Sequence, residues 1–199
     1  MKILLIGASG TLGKAIDQEL RERHEIVRIG HSSGDFQVDI TDTASIRRLF
    51  EQTGPFDALI SATGKVHFAD LADMGDAELT VGLRDKLMGQ VNLVLIGRDY
   101  ANDGASFTLT SGVLSEDPIR YGSSASMVNA AIEGFVRGAA IELPRGLRLN
   151  AVSPTIVRES LPALGEYFRG WKAIPAADAA LAYAKSAEGL QTGQVYKVW

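Results

Sequence analysis

The chain has 199 residues, 46% of them apolar, a formal net charge of −4 and no cysteine. That length accommodates one domain, 1–199, around a single core, and so mild a charge leaves no electrostatic footprint for nucleic acid. Without cysteine there are no disulfides, thiolate nucleophiles or Cys-ligated metals, and a reducing, cytoplasmic setting is expected.

The first apolar run, Ile3 to Ile6, is too short for a signal-peptide core and meets glycine at once. With Lys2 it predicts a strand. Gly7, Gly10 and Gly13 come next, ahead of an amphipathic helix over Leu12–Glu22. Glycines here allow a tight turn and let backbone N–H groups approach a pyrophosphate at a helix N-terminus, so Gly7, Ser9, Gly10, Thr11, Leu12 and Gly13 are candidate cofactor contacts.

A second strand over Glu25–Ile29 ends in Gly30-His31-Ser32-Ser33. An acidic side chain at this point would bind the ribose diol of NAD and repel a 2′-phosphate. His31, Ser32 and Ser33 are donors, so NADP is favoured over NAD, although Asp35 lies close enough to keep NAD open and His31 also reads as a solvated loop residue.

Further strands are predicted at Phe36–Val38, Ala58–Ile60, Ala105–Leu109, Arg148–Val152 and Gln194–Val198, with helices over Thr43–Gln52, Leu83–Tyr100, Ser126–Glu142 and Ala176–Ser186. This βαβ rhythm predicts an α/β, Rossmann-type, doubly wound parallel sheet with helices on both faces. Ligands then sit at the carboxyl ends of the strands, which carry Gly7–Gly10, Ser61–Gly64, Thr110–Gly112 and Ser153–Thr155. No stretch approaches the roughly 20 apolar residues of a membrane span, so no membrane partner is expected. His24, His31 and His67 lack metal-ligand spacing, and no metal site is expected.

With these motifs in order, nearly the whole chain resembles the short-chain dehydrogenase/reductase family. GASGTLG is similar to its glycine motif, spaced as in the family's extended branch. VDITDTASI resembles the segment that holds adenine, which implies Asp39 and Ile40 in that role. SATG stands where Asn-Asn-Ala-Gly is usual, so Ala62 and Gly64 match around Thr63. NAAIEGFVRGAAIELPRGLRLNAVSPTIV resembles the long helix, sixth strand and following loop, implying backbone contacts from Ile156 to a nicotinamide carboxamide, and TGQVYKVW resembles the last strand. The resemblance implies about seven parallel strands, a nicotinamide dinucleotide, an unidentified small-molecule substrate, and a homodimer or homotetramer built on the helices at Leu83–Tyr100 and Ser126–Glu142.

It also implies carbonyl reduction in which a Tyr donates the proton, a Lys lowers its pKa, a Ser orients the oxygen and an Asn supports a proton relay. Ser111 falls on the serine. Ala125 and Asn129 fall on the Tyr and Lys, and neither can do that work, since alanine has no proton and asparagine no charge. KLMG resembles the family's N-L-x-G, so Lys86 stands at the asparagine position. Spacing nominates Tyr121, four residues before Ala125, as a substitute acid near Ser111, with Lys86 supplying charge. Plainer readings are a Tyr121 that caps the cleft, a solvated Lys86 and a Ser111 that simply ends a strand.

The segment from Arg158 to Ala177 is short for a substrate lid, and Leu161, Leu164, Tyr167, Phe168 and Trp171 either wall a small ligand or pack on the core. Two functions remain open: an NADP-dependent oxidoreductase acting on a small carbonyl or alcohol with a rearranged active site, and a non-catalytic NADP-binding protein with a sensing or scaffold role.

Overall fold

The computed structural model describes all 199 residues. Its seven strands are β1 (Lys2–Ile6), β2 (Glu25–Gly30), β3 (Phe36–Gln37), β4 (Phe56–Ser61), β5 (Ala101–Thr110), β6 (Arg148–Pro154) and β7 (Val195–Val198). They form one parallel sheet in the order β3-β2-β1-β4-β5-β6-β7. The central strands are continuous apolar runs because a parallel sheet is covered on both faces; Ile3, Leu4, Leu5 and Ile6 of β1 are all buried.

The helices are α1 (Thr11–Leu20), α2 (Thr43–Thr53), α3 (Asp76–Gly82), α4 (Gln90–Gly97), α5 (Ser123–Ala139), α6 (Leu161–Leu164) and α7 (Ala176–Glu188). On one face, Ile46, Leu49 and Phe50 of α2, Leu93 and Val94 of α4, and Ile132 and Val136 of α5 join Leu4, Leu59 and Leu149 in the larger core. On the other, Ile16 and Leu20 of α1 and Ala180, Tyr183, Ala184 and Ala187 of α7 cover Ile3, Leu5 and Ile60. The alanines let α7 lie close to the sheet. No helix is long and apolar enough to cross a membrane.

The chain departs from its sequence pattern around the fourth connection. A single helix was expected over Leu83–Tyr100, whereas helix begins at Asp76, passes through a π-helical stretch at Leu83–Gly89 and ends at Gly97. The start was legible: Glu78 accepts a hydrogen bond from the Gly75 N–H at 3.0 Å and, with Asp76, puts acids in the first turn. The wide turns were not, because no residue type marks a π-helix. β5 also begins four residues before the expected Ala105, where exposed Asn102, Asp103 and Gly104 read as a turn; a register shift opposite Phe56 and Ala58 accommodates them.

The order of strands fixes where a ligand can lie. From β1 the chain winds outward through β2 and β3, then crosses back to β4 on the other side of β1. The crevice outside the ends of β1 and β4 is the topological switch point of the sheet.

Candidate functional site

Gly7 leaves β1 into that crevice with φ at +84°, its N–H bonded to the carbonyl of Ile29 at 2.8 Å. A Cβ here would stand 2.5 Å from the carbonyl oxygen of Ala62. A Cβ on Gly13 would collide with the carbonyl of Gly7, so helix α1 seats directly against the loop. Ser9, Gly10 and Thr11 lie exposed along the rim. The first turn of α1 has neither a side-chain cap nor an acid, in contrast to α2, whose Asp42 carboxylate accepts from the Ala44 N–H. The uncapped first turn of α1 carries the positive end of the helix dipole at the glycine loop, a setting that suits an anion such as a pyrophosphate.

On the β2 side, a small cavity of about 70 Å³ is lined by Gly7, Gly30, His31, Val38, Asp39, Ile40, Thr63 and Lys65, among others. His31, Ser32 and Ser33 are exposed at its edge. Asp35 is turned away: its carboxylate accepts from the Arg28 N–H at 2.8 Å, closing the β2–β3 turn. Asp39 likewise caps its own turn, accepting from Thr41 N–H at 2.9 Å and Thr41 Oγ1 at 2.7 Å, and these bonds hold its carboxyl below the usual carboxylate range. Ile40 is buried against Gly89, where a Cβ would lie 2.7 Å from Ile40 Cδ1.

Thr63 is shared with a second cleft of about 290 Å³, which is also lined by Leu12, Ala62, Gly64, Lys86, Ser111, Ala125, Asn129 and Ile156. The two cavities share Thr63 and flank the glycine loop, with Gly7 lining one and Leu12 the other. Gly64, with φ at +135°, admits the stem of Lys86; a Cβ there would meet Lys86 Cγ at 2.6 Å. Lys86 Nζ donates to the carbonyl of Ser111 at 3.2 Å. Burial without a partner carboxylate pushes its ammonium down to about 8. Lys86 is therefore a cleft residue rather than a solvated one.

Two buried side chains set this arrangement, and neither was singled out from the sequence. Gln90 donates from Nε2 to the carbonyls of Lys86 at 3.0 Å and Thr110 at 2.9 Å, while its Oε1 accepts from the Thr110 N–H at 2.8 Å. It thereby ties the π-helical stretch to the end of β5, and π-helical turns recur at functional sites. Glu133, 4% exposed, accepts from Ser111 Oγ at 3.1 Å and Ser115 Oγ at 2.7 Å and is paired with Arg137 at 3.3 Å. A lone acid in the apolar-patterned stretch Asn129–Val136 was the available signal, since buried carboxylates are rare unless partnered. Ser111 Oγ also lies 3.4 Å from the Val152 carbonyl, so both of its protein partners are acceptors. Its proton points inward and its lone pairs remain for the cleft.

The expected approach of Tyr121 to Ser111 is not met. Tyr121 has φ at +67°, its ring packs edge-on to Tyr167 at 6.2 Å with the Arg120 guanidinium 4.6 Å above it, and it does not line the cleft. A glycine follows it, and the left-handed turn swings the ring outward. Of the expected apolar wall, Leu164 and Phe168 line the cleft, whereas Leu161 and Tyr167 lie outside it, more than a third exposed, and Trp171 packs on Phe168. Asn129 and Ala125 both face the space where acid–base chemistry was expected; Asn129 is 2% exposed, its Oδ1 has no partner, and Nδ2 reaches the Gly112 carbonyl only at 3.4 Å.

The model of a protein family described as enoyl-(acyl carrier protein) reductase matches residues 8–191. Among solved structures, the protein lin1944 from Listeria innocua is 49% identical, with 100% of each chain covered and a TM-score of 0.99. A small-chain dehydrogenase in complex with NADPH is 26% identical over 100% of this chain and 96% of that one, at a TM-score of 0.88. A further small-chain dehydrogenase is 28% identical over 100% and 95%, at 0.85. No curated protein matches the sequence.

Proposed function

The chain belongs to the short-chain dehydrogenase/reductase family, and from that premise we propose that it is an NADP-dependent reductase of small carbonyl compounds in which Lys86 donates the proton. The observation that carries this reading is the placement of Lys86, a cleft-lining ammonium with a pKa of about 8 and a single bond, to the Ser111 carbonyl. A donor near the working pH combines protonation with proton-transfer strength.

Bound NADPH supplies the hydride. The residues fit it: the uncapped start of α1 and the cradle of Gly7, Gly10 and Gly13 suit its pyrophosphate, and Ile156 borders the nicotinamide end. NADP is preferred over NAD because Asp35 is occupied at the Arg28 N–H, leaving His31, Ser32 and Ser33 for a 2′-phosphate; a 26% identical relative was solved with NADPH. In the reaction Gln90 holds Lys86 in place, Lys86 Nζ gives its proton to the carbonyl oxygen, and Phe168 and Leu164 keep bulk water from that side. We also read the molecule as a cytoplasmic homodimer or homotetramer, with exposed Leu95 of α4 and Met127 of α5 at the contact.

One observation favours the second reading, a non-catalytic NADP-binding protein: Ala125 and Asn129 stand where the family's Tyr and Lys are expected. Absorbance assays of NADPH oxidation across small aldehydes and ketones separate the two. Turnover that falls roughly 100-fold or more in Lys86→Met supports the reductase. Stabilisation by NADPH with no turnover of any carbonyl assigns the chain to the second reading.

A further inference from the structure

We propose that the cleft takes small 2-oxo acids, or the 2-hydroxy acids to which they are reduced, with Lys86 as the anchor of the carboxylate. The proposal rests on the reading above, in which this cleft holds substrate beside the nicotinamide.

No aspartate or glutamate lines the cleft, and Lys86 is its one charged side chain. The carboxylates flanking it are already engaged, Glu133 by Ser111, Ser115 and Arg137 and Asp85 by the Lys65 N–H. A lysine ammonium has three N–H donors, and the Ser111 carbonyl uses one. Two donors on one nitrogen therefore face a weakly screened space with no counter-ion. Adjacent oxygens on one small anion satisfy both, and a 2-oxo acid offers them as the ketone oxygen and one carboxylate oxygen. A charge so desolvated is stabilised most by a ligand that brings the opposite charge with it.

The remaining polar groups fit the reduced product as well. Ser111 presents lone pairs, and buried Asn129 has an Oδ1 with no partner. Either one can accept the single hydroxyl proton that the 2-hydroxy acid has and the 2-oxo acid lacks. At about 290 Å³, the cleft must also admit the nicotinamide ring, which limits the acid to a short side chain against Val113, Leu164 and Phe168. The step balances: NADPH gives a hydride to the ketone carbon and becomes NADP, the ketone oxygen takes the proton of Lys86 Nζ, and the amine regains a proton from water.

Calorimetric titration of the NADPH-loaded protein tests the charge requirement without needing turnover. Oxamate, an analogue of a 2-oxo acid whose amide NADPH does not reduce, is compared with its neutral counterpart oxamide. Oxamate should bind roughly tenfold or more tightly than oxamide, and Lys86→Met should abolish the difference. Equal affinities, or no binding of oxamate to protein that holds NADPH, overturns the proposed substrate class and leaves the cofactor reading standing. Failure of NADPH itself to bind overturns the reading beneath it and this proposal with it. The wild-type comparison decides the matter even where the variant folds poorly.

Discussion

Ser111 donates toward the carboxylate of Glu133, 3.1 Å away in the interior beneath the cleft. The serine at the family's catalytic position therefore spends its proton on the protein. Glu133→Ala leaves the Ser111 and Ser115 hydroxyls only the Val152 and Gly112 carbonyls and leaves Arg137 unpaired, so unfolding in urea should reveal a loss of about 1–3 kcal/mol. Glu133→Gln keeps the volume and should cost less; a loss equal to that of alanine would mean that the charge, not packing, is what Glu133 provides.

Gln90 sits on the other side of the same strand end. Gln90→Leu removes three hydrogen bonds, two of them buried, and takes away the Gln90 partners of the Thr110 N–H and carbonyl. A stability loss of about 2–3 kcal/mol is expected, together with a drop in NADPH turnover at saturating carbonyl as Lys86 loses its support. Unchanged turnover would show that the π-helical stretch holds Lys86 unaided.

The pH dependence follows from Lys86, whose folded-state value of about 8 lies below its ordinary 10.5. Reduction needs the protonated amine, so kcat/KM should fall as pH rises through about 8. Stability runs the opposite way. Between about 8 and 10.5 the unfolded chain binds more protons than the folded one, so the folded state gains stability with rising pH. Lys86→Met, which has no charge to desolvate, should be more stable than the wild type near neutrality by roughly 1–3 kcal/mol and should lack that rise. Denaturation at a series of pH values tests both signs.

Cofactor preference tests the end of β2. His31→Asp places a free carboxylate where Asp35 is withheld at the Arg28 N–H, and should shift the ratio of NADPH to NADH affinity toward NADH by about tenfold or more through loss of a donor and repulsion of a 2′-phosphate. Gly7→Ala should lose binding of both, because its φ of +84° and the Ala62 carbonyl 2.5 Å from a Cβ leave no room for a side chain.

Much of this was legible in the chain. Apolar runs bounded by glycine gave the strands, and of the glycines that stood out, Gly7 and Gly13 are positions where only glycine fits against the Ala62 and Gly7 carbonyls. Ser111, Ala125, Asn129 and Lys86 all line one cleft, as their alignment with the family implied. The rest depends on tertiary partners. Tyr121 lay at a suggestive sequence distance, but a left-handed backbone turns it toward Tyr167. Gln90 and Glu133 look like ordinary helix residues until β5 is packed against them, and Asp35 looks free until the β2–β3 turn closes on it.

A thermal-shift titration with NADPH, NADP, NADH and NAD tests the central claim, that the crevice from His31 to Ile156 is built for a phosphorylated dinucleotide. Saturating ligand stabilises by about 2.7 kcal/mol at 100 times Kd, so NADPH should raise the melting temperature by several degrees, NADH should do so less, and Gly7→Ala should abolish both shifts. A melting temperature that none of the four dinucleotides moves would contradict the account.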